Sequence, residues 1–320
     1  MFDILTVTTP FFLLVLAGYV ATHFSMLPVA AIAGLNSFVL YFALPCMLFR
    51  FGALTPIEQL LNIDLALVYL GCAFLIIGIA LAVSRAKGLD WNNSAFGALV
   101  TAFPNTGFMG VPLLLALVGQ ASTGPVIVTI FIDLVIVSSL CIAISRLNPG
   151  SGQSSQAVAK NVIKRVASNP MPWAICAGAL ASGFQLDLPR VLSDTVSLMA
   201  NSASPVALFT IGAVLARSAQ LAKSGEAVHA RIPVAGLTAL KLLAHPALLF
   251  AAFQLANWLG AEIDPVTMTV VILVAALPSA SNVAILAERF GADSAQIARV
   301  IMASTAVAFL SFPATFALLR

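Results

Sequence analysis

Long apolar stretches separated by short polar connections run through almost the whole chain. An apolar stretch of about 20 residues is long enough to cross a bilayer as an α-helix. The pattern therefore predicts an all-α polytopic membrane protein with ten transmembrane helices. The predicted spans are residues 4–22, 31–51, 63–84, 95–118, 123–145, 170–186, 194–216, 233–257, 265–288 and 296–318.

Proline and small polar residues interrupt two of these spans. The fourth contains Phe-Pro-Asn-Thr-Gly at 103–107, and the ninth contains Leu-Pro-Ser-Ala-Ser-Asn at 277–282. A bilayer cannot satisfy free backbone groups, so a spanning helix breaks only where protein or a wet cavity meets the break. Paired breaks in two halves indicate the binding site of a secondary transporter. A simple kink is the alternative interpretation of either break taken alone.

The chain divides into two halves on either side of one polar segment. Residues 146–169 carry Asn-Pro-Gly-Ser-Gly and predict a cytoplasmic connector between a first five-helix repeat, 1–145, and a second, 170–320. The segment from Pro45 aligns with the segment from Pro205, preserving Leu-Phe and Gly-Ala. Because each half holds an odd number of spans, the second would enter the membrane with opposite polarity. This predicts a 5+5 inverted repeat.

Composition and charge bear on the class of protein and on its orientation in the membrane. Only 8% of the residues are charged, whereas soluble domains carry roughly 25%. Eleven of the 15 Lys and Arg residues fall on one side of the predicted topology, which makes that side cytoplasmic and both termini external. The net charge of +3 follows from this bias and does not indicate nucleic-acid binding. The four cysteines lie in apolar stretches without metal-ligand spacing, so no metal or cofactor is expected.

Residues around the two breaks carry the candidate binding chemistry. If the backbone unwinds there, each following half-helix begins with unpaired N–H groups and a partial positive charge, which together favour an anion. Hydroxyl and amide side chains would add hydrogen bonds, and a glycine would let a ligand approach the backbone. The candidate substrate-binding residues at the breaks are Pro104, Asn105, Thr106, Gly107, Pro278, Ser279, Ser281 and Asn282.

Three ionisable residues inside predicted spans are further candidates. Lys241 should face a cavity or a partner and is counted with the substrate-binding residues, with snorkelling toward the inner surface as the alternative. Asp133 could couple an ion or serve as counter-ion to Lys241, or it could be a protonated carboxyl hydrogen-bonded to a neighbouring helix. His245 is a candidate for ion coupling, with a packed histidine as the alternative.

Four segments of the chain resemble the auxin efflux carrier family. They are residues 35–49, 103–113, 240–246 and 277–283, which occur in the family's order and span nearly the whole chain. The resemblance implies a ten-helix inverted repeat whose proline-broken helices 4 and 9 cross, and an organic-anion substrate. The chain looks closer to bacterial malonate and other carboxylate carriers than to plant auxin carriers. Asp133 matches no family motif, so its role rests on physical argument alone.

The sequence thus predicts a secondary carrier of a small organic anion, such as malonate or a related carboxylate, working by alternating access in the plasma (inner) membrane. A sodium-coupled symporter resembling bile-acid carriers is the main alternative. An enzyme would need paired catalytic groups at membrane depth, and the sequence does not suggest such a pair. A sensor would need a soluble signalling module, and the sequence does not suggest one. The expected partners are the anion, membrane lipid and a coupling ion, H⁺ or Na⁺. A homodimer is left open.

Overall fold

The computed structural model describes residues 2–56, 60, 62–147, 167–186, 188–223 and 232–319. Helices make up the described part of the chain, and the predicted spans coincide with them. We number the helical segments α1 Phe2–His23, α2 Ala31–Leu54, α3 Ile63–Ala86, α4 Trp91–Ala102, α5 Thr106–Val118, α6 Gln120–Ser145, α7 Pro170–Gly183, α8 Arg190–Lys223, α9 Val234–Trp258, α10 Pro265–Ala276, α11 Asn282–Arg289 and α12 Ser294–Leu319.

Membrane-length helices dominate this arrangement. Among the described residues, seven helices are long and apolar enough to cross a bilayer, namely α1, α2, α3, α6, α8, α9 and α12. The other predicted spans are the short helix α7 and the two interrupted segments, α4 with α5 and α10 with α11. The chain is therefore a multi-pass membrane protein.

Three helices, α2, α5 and α9, change their hydrogen-bonding pattern just before a proline. Wider π-helical turns occupy Val39–Ala43, Thr106–Gly110 and Leu240–Ala244, and each ends two residues before a proline in the sequence. Proline lacks the N–H that would continue the ladder and its ring crowds the preceding turn, so the helix widens locally. A fourth π-helical turn, Asp133–Val137, has no proline after it and begins at a buried carboxylate.

Both interrupted segments start with the same kind of cap. The Asp90 carboxylate accepts a hydrogen bond from the Asn93 N–H at the start of α4, and the Asp264 carboxylate accepts one from Thr267 N–H at the start of α10. Such caps satisfy backbone donors that a helix leaves unpaired in its first turn. The spacing from Asp90 to Pro104 equals that from Asp264 to Pro278.

Two close helix contacts are also related to each other. At the contact of α1 with α8, a Cβ added to Gly18 would lie 1.8 Å from Phe209 O, and one added to Gly212 would lie 1.8 Å from Val15 O. At the contact of α2 with α7, a Cβ on Gly178 would lie 2.4 Å from Phe49 O. Only glycine allows backbones to approach this closely in membrane helices.

The glycines of these two contacts repeat along the sequence. The spacing that relates Pro45 to Pro205 also relates Gly18 to Gly178, and it relates Gly52, which packs on Gly178, to Gly212. The α1–α8 contact and the α2–α7 contact therefore use glycines that lie at one common sequence spacing.

Several basic residues gather at one end of the helices. The Arg85 guanidinium lies 4.8 Å from the Trp91 ring centroid, and the Arg146 guanidinium lies 4.9 Å from that of Phe290. Arg217 on α8 lies 4.0 Å from Glu288 on α11. Most of the predicted connector, with Lys160, Lys164 and Arg165, lies outside the described residues.

Candidate anion-binding site at the paired helix breaks

The two helix breaks meet and hydrogen-bond to each other. Asn105 N–H donates to Pro278 O at 2.8 Å, and Ala280 N–H donates to Phe103 O at 3.0 Å. These bonds form one antiparallel bridge between Pro104 and Ser279. Each break therefore supplies backbone partners to the other, as the absence of water in a bilayer requires.

A cavity lies against this bridge. The break contributes the polar part of the wall, and α2, α6 and α7 contribute apolar side chains. The lining residues are Leu44, Leu48, Phe103, Pro104, Asn105, Thr106, Gly107, Phe108, Ile130, Leu134, Met171, Ala280 and Asn282.

The start of α5 lines the cavity, and its first N–H groups lack helical acceptors. Its first helical hydrogen bonds come from Met109 N–H and Gly110 N–H, both to Asn105 O. The N–H groups of Thr106, Gly107 and Phe108 therefore have no acceptor within the helix. All three residues line the cavity. Unpaired N–H groups at the positive end of a helix dipole are a ready site for an anion.

Three polar side-chain atoms at the breaks have no hydrogen-bond partner. They are Thr106 Oγ1, Ser279 Oγ and Asn282 Oδ1. Thr106 is 1% exposed, and native proteins rarely leave a buried hydroxyl unsatisfied. Thr106 and Asn282 are both residues of the cavity wall.

The structure brings together five of the predicted substrate-binding residues, Pro104, Asn105, Thr106, Gly107 and Asn282, around one cavity. The others lie nearby but have different surroundings. Pro278 provides the carbonyl that accepts from Asn105, and Ser279 N–H donates to the hydroxyl of Ser304 on α12. Ser281 is buried at the start of α11 and is not part of the lining.

Lys241 lies away from this cavity wall. Its side chain is fully buried, so it does not snorkel to the surface. Its Nζ donates to Ala275 O at 2.9 Å, and Ala275 is next to last in α10. Lys241 therefore contacts the carbonyl end of α10 rather than the cavity, and its predicted contact with substrate stays a prediction.

Asp133 and His245 complete a buried polar cluster with Lys241 and Tyr69. All four residues are fully buried. The Tyr69 hydroxyl donates to the Asp133 carboxylate, at 2.9 and 3.1 Å from its two oxygens. Asp133 and Lys241 are neighbours in this cluster, but no ion pair within 4.0 Å joins them. Neither ring nitrogen of His245 has a partner, and its ring centroid lies 6.3 Å from that of Tyr69.

Sequence reasoning missed Tyr69 and the apolar walls of the cavity. Tyr69 lies within the uniformly apolar third span, but a tyrosine hydroxyl buried in a membrane needs a partner, and this requirement was the available signal. Leu44, Leu48 and Met171 carry no such signal because they are apolar residues within apolar spans.

Membrane-length helices and two broken helices that meet at a cavity define a membrane transporter. Comparison with known proteins agrees with this class. Residues 3–315 match the sequence profile of a family described as "Membrane transport protein", so the chain belongs to that family. This match confirms the resemblance to the auxin efflux carriers.

Individual relatives cover nearly the full length of the chain. A protein of Rhizobium meliloti named "Putative malonate transporter" is 27% identical over 100% of this chain and 97% of its own length. The "Uncharacterized transporter YfdV" of Escherichia coli is 26% identical over 96% of this chain and 93% of its own. An "Uncharacterized transporter" of Methanothermobacter thermautotrophicus is 24% identical over 94% of this chain and 93% of its own length.

Proposed function

We propose that the protein is a secondary carrier of a small organic anion, malonate or a related carboxylate, and that the anion binds at the paired helix breaks. The observation that supports this proposal is the set of free donors around one cavity. Three consecutive residues that line the cavity, Thr106 to Phe108, have N–H groups without a helical acceptor, and the hydroxyl of Thr106 has no partner. The name of the Rhizobium meliloti relative favours malonate as the first substrate to test.

Electrostatics favours an anion over a neutral solute in this cavity. No lining residue in the described part of the chain is acidic or basic. The charge complementary to the substrate therefore comes from the start of α5, which carries roughly half an elementary charge. The apolar walls would exclude water and so strengthen this attraction.

We propose a 5+5 inverted repeat of ten transmembrane helices, residues 1–145 and 170–320, in which α4 with α5 forms helix 4 and α10 with α11 forms helix 9. The equivalent caps Asp90 and Asp264 and the repeated glycine contacts support the repeat. The bridge between Pro104 and Ser279 supports a crossover of the two broken helices. Such a construction suits alternating access by an elevator or a rocking motion.

The proposed orientation has both termini outside the plasma (inner) membrane. The clustering of Arg85, Arg146 and Arg217 at one end of the helices supports a common cytoplasmic side. Single cysteines placed in the connector should resist a membrane-impermeant thiol reagent applied to intact cells. Rapid labelling from outside would contradict the orientation.

Counterflow in proteoliposomes tests the function. Vesicles loaded with unlabelled malonate should accumulate labelled malonate transiently, because a carrier exchanges solute across the membrane without an energy source. Protein-free vesicles and vesicles loaded with buffer are the controls. If no mono- or dicarboxylate shows counterflow with folded protein, the proposed substrate class is wrong.

A further inference from the structure

Lys241 places a buried ammonium at the end of a half-helix. The last four carbonyl groups of a helix have no intrahelical partner. Near the end of α10, Leu277 N–H satisfies Val274 O, and Lys241 Nζ satisfies Ala275 O at 2.9 Å. The carbonyl end of a helix also carries roughly half a negative elementary charge, which attracts a cation.

The carbonyl end of a half-helix is a cation-binding position in carriers with broken helices. In such carriers, unwound carbonyls and the carbonyl ends of half-helices coordinate the coupling cation. Here the same kind of carbonyl, just before the break in the proposed helix 9, is occupied by a side chain of the protein. Because Lys241 is fully buried, the Ala275 carbonyl is paired inside the protein rather than with an ion from solution.

A second buried polar group lies near this position. Asp133 on α6 neighbours Lys241 without an ion pair within 4.0 Å, and the Tyr69 hydroxyl on α3 donates hydrogen bonds to the Asp133 carboxylate. A carboxylate and a backbone carbonyl are the oxygen ligands that a small cation would use. The remaining titratable neighbour, His245, lies one helical turn after Lys241.

We infer that the Lys241 ammonium is a tethered replacement for a coupling cation, holding the carbonyl end of α10 beside the anion-binding breaks. The inference rests on the proposed function, since it assigns coupling within that carrier. Lys241 acts as a positioning residue. It keeps the last turn of α10 charge-compensated so that the bridge between Pro104 and Ser279 keeps its geometry. Transport by the native protein then needs no Na⁺.

The native protein gives the first test without any variant. Uptake of labelled malonate into proteoliposomes is measured in Na⁺, K⁺ and choline buffers at equal ionic strength. The expected rates are equal within error. A Na⁺-dependent rise in the rate would overturn the inference, because the site would then accept an external cation.

Chemical rescue gives the second test. Lys241→Ala removes the atoms of one propylammonium ion, and its uptake should fall by about tenfold or more, which corresponds to losing one strong polar contact. Propylammonium added to Lys241→Ala should restore uptake with saturation, whereas 1-propanol of similar shape should not. Lys87→Ala, which alters a lysine in a connection between helices, is the matched control and should show neither loss nor rescue.

Thermal stability separates this inference from the identity of the substrate. Propylammonium should raise the apparent unfolding temperature of Lys241→Ala but not of the native protein, because a ligand stabilises only the fold that binds it. This result requires no malonate, so it stands even if counterflow fails. If Lys241→Ala does not fold, Lys241→Met, which keeps the length of the side chain, replaces it in the uptake assay. Native-level uptake by either variant without an added cation would overturn the inference.

Discussion

Replacing Thr106 by valine should weaken anion binding without weakening the fold. Valine keeps the shape of threonine, which matters because the Thr106 methyl group lies 3.2 Å from where a Cβ on Gly110 would be. The substitution removes only the hydroxyl, which is buried and has no partner in the protein. Leaving such a group unsatisfied costs about 1–3 kcal/mol, so its removal should leave the unliganded stability unchanged or raise it by up to about that amount.

The effect on binding should have the opposite sign. A hydrogen bond to a charged group contributes about 1.5–3 kcal/mol, which corresponds to roughly a 10- to 150-fold weaker affinity for the carboxylate in Thr106→Val. Isothermal titration with malonate measures the affinity, and thermal unfolding without ligand measures the stability. Thr106→Ser, which keeps the hydroxyl, should bind within a few-fold of the parent.

Thr22 offers a matched control for this experiment. Its hydroxyl is also buried and unpartnered, but it lies on α1 and not on the cavity wall. Thr22→Val should therefore leave the affinity unchanged while affecting stability in the same direction. Equal affinities of Thr106→Val and the parent would refute the assignment of the Thr106 hydroxyl to the site.

Three further sets of variants test other parts of the structure. Asn105→Ala and Asn282→Ala should each weaken malonate binding measured by titration, because each removes an amide from the cavity wall. Tyr69→Phe should lower thermal stability by about 1.5–3 kcal/mol, since it strands the Asp133 carboxylate, and a double-mutant cycle with Asp133→Asn should be non-additive. Gly18→Val should lower the yield of folded protein, because its side chain would overlap the backbone of α8.

Each of these variants has a control elsewhere in the chain. Asn201→Ala changes an amide that is hydrogen-bonded to Arg50 and absent from the cavity wall, so it should bind malonate normally. Gly34→Ala adds a Cβ where nothing lies within 4 Å, so it should fold like the parent. Strict additivity of Tyr69→Phe and Asp133→Asn would contradict their direct contact.

The helices and their two breaks could be predicted from the sequence because their causes are local. Apolar length sets the spans, and Pro104 and Pro278 remove backbone donors where small polar residues follow. The register of the contact between the breaks could not be read from the two prolines. Asn105 N–H donates to Pro278 O, and Ala280 N–H donates to Phe103 O, so the two prolines do not have equivalent places in the contact.

The surroundings of the buried charges could not be predicted because their partners are distant or belong to the backbone. Lys241 donates to Ala275 O, and a carbonyl leaves no trace in residue type. Asp133 pairs with Tyr69, which is remote in sequence and lies in an apolar run without helical periodicity. In an aqueous protein, polar faces would have indicated which sides of the helices meet. In a membrane helix that signal is weak.

Protection of a single cysteine on the cavity wall tests the central claim most directly. Leu134 lines the cavity from α6 and is partly exposed, so Leu134→Cys in a background without the native cysteines should react with a thiol reagent. Lys87→Cys, in a connection between helices, is the reference site. Malonate should slow the labelling of Leu134→Cys with a concentration dependence that matches its affinity, and should leave Lys87→Cys unaffected. Labelling of Leu134→Cys at the same rate with and without saturating malonate would contradict binding at the paired helix breaks.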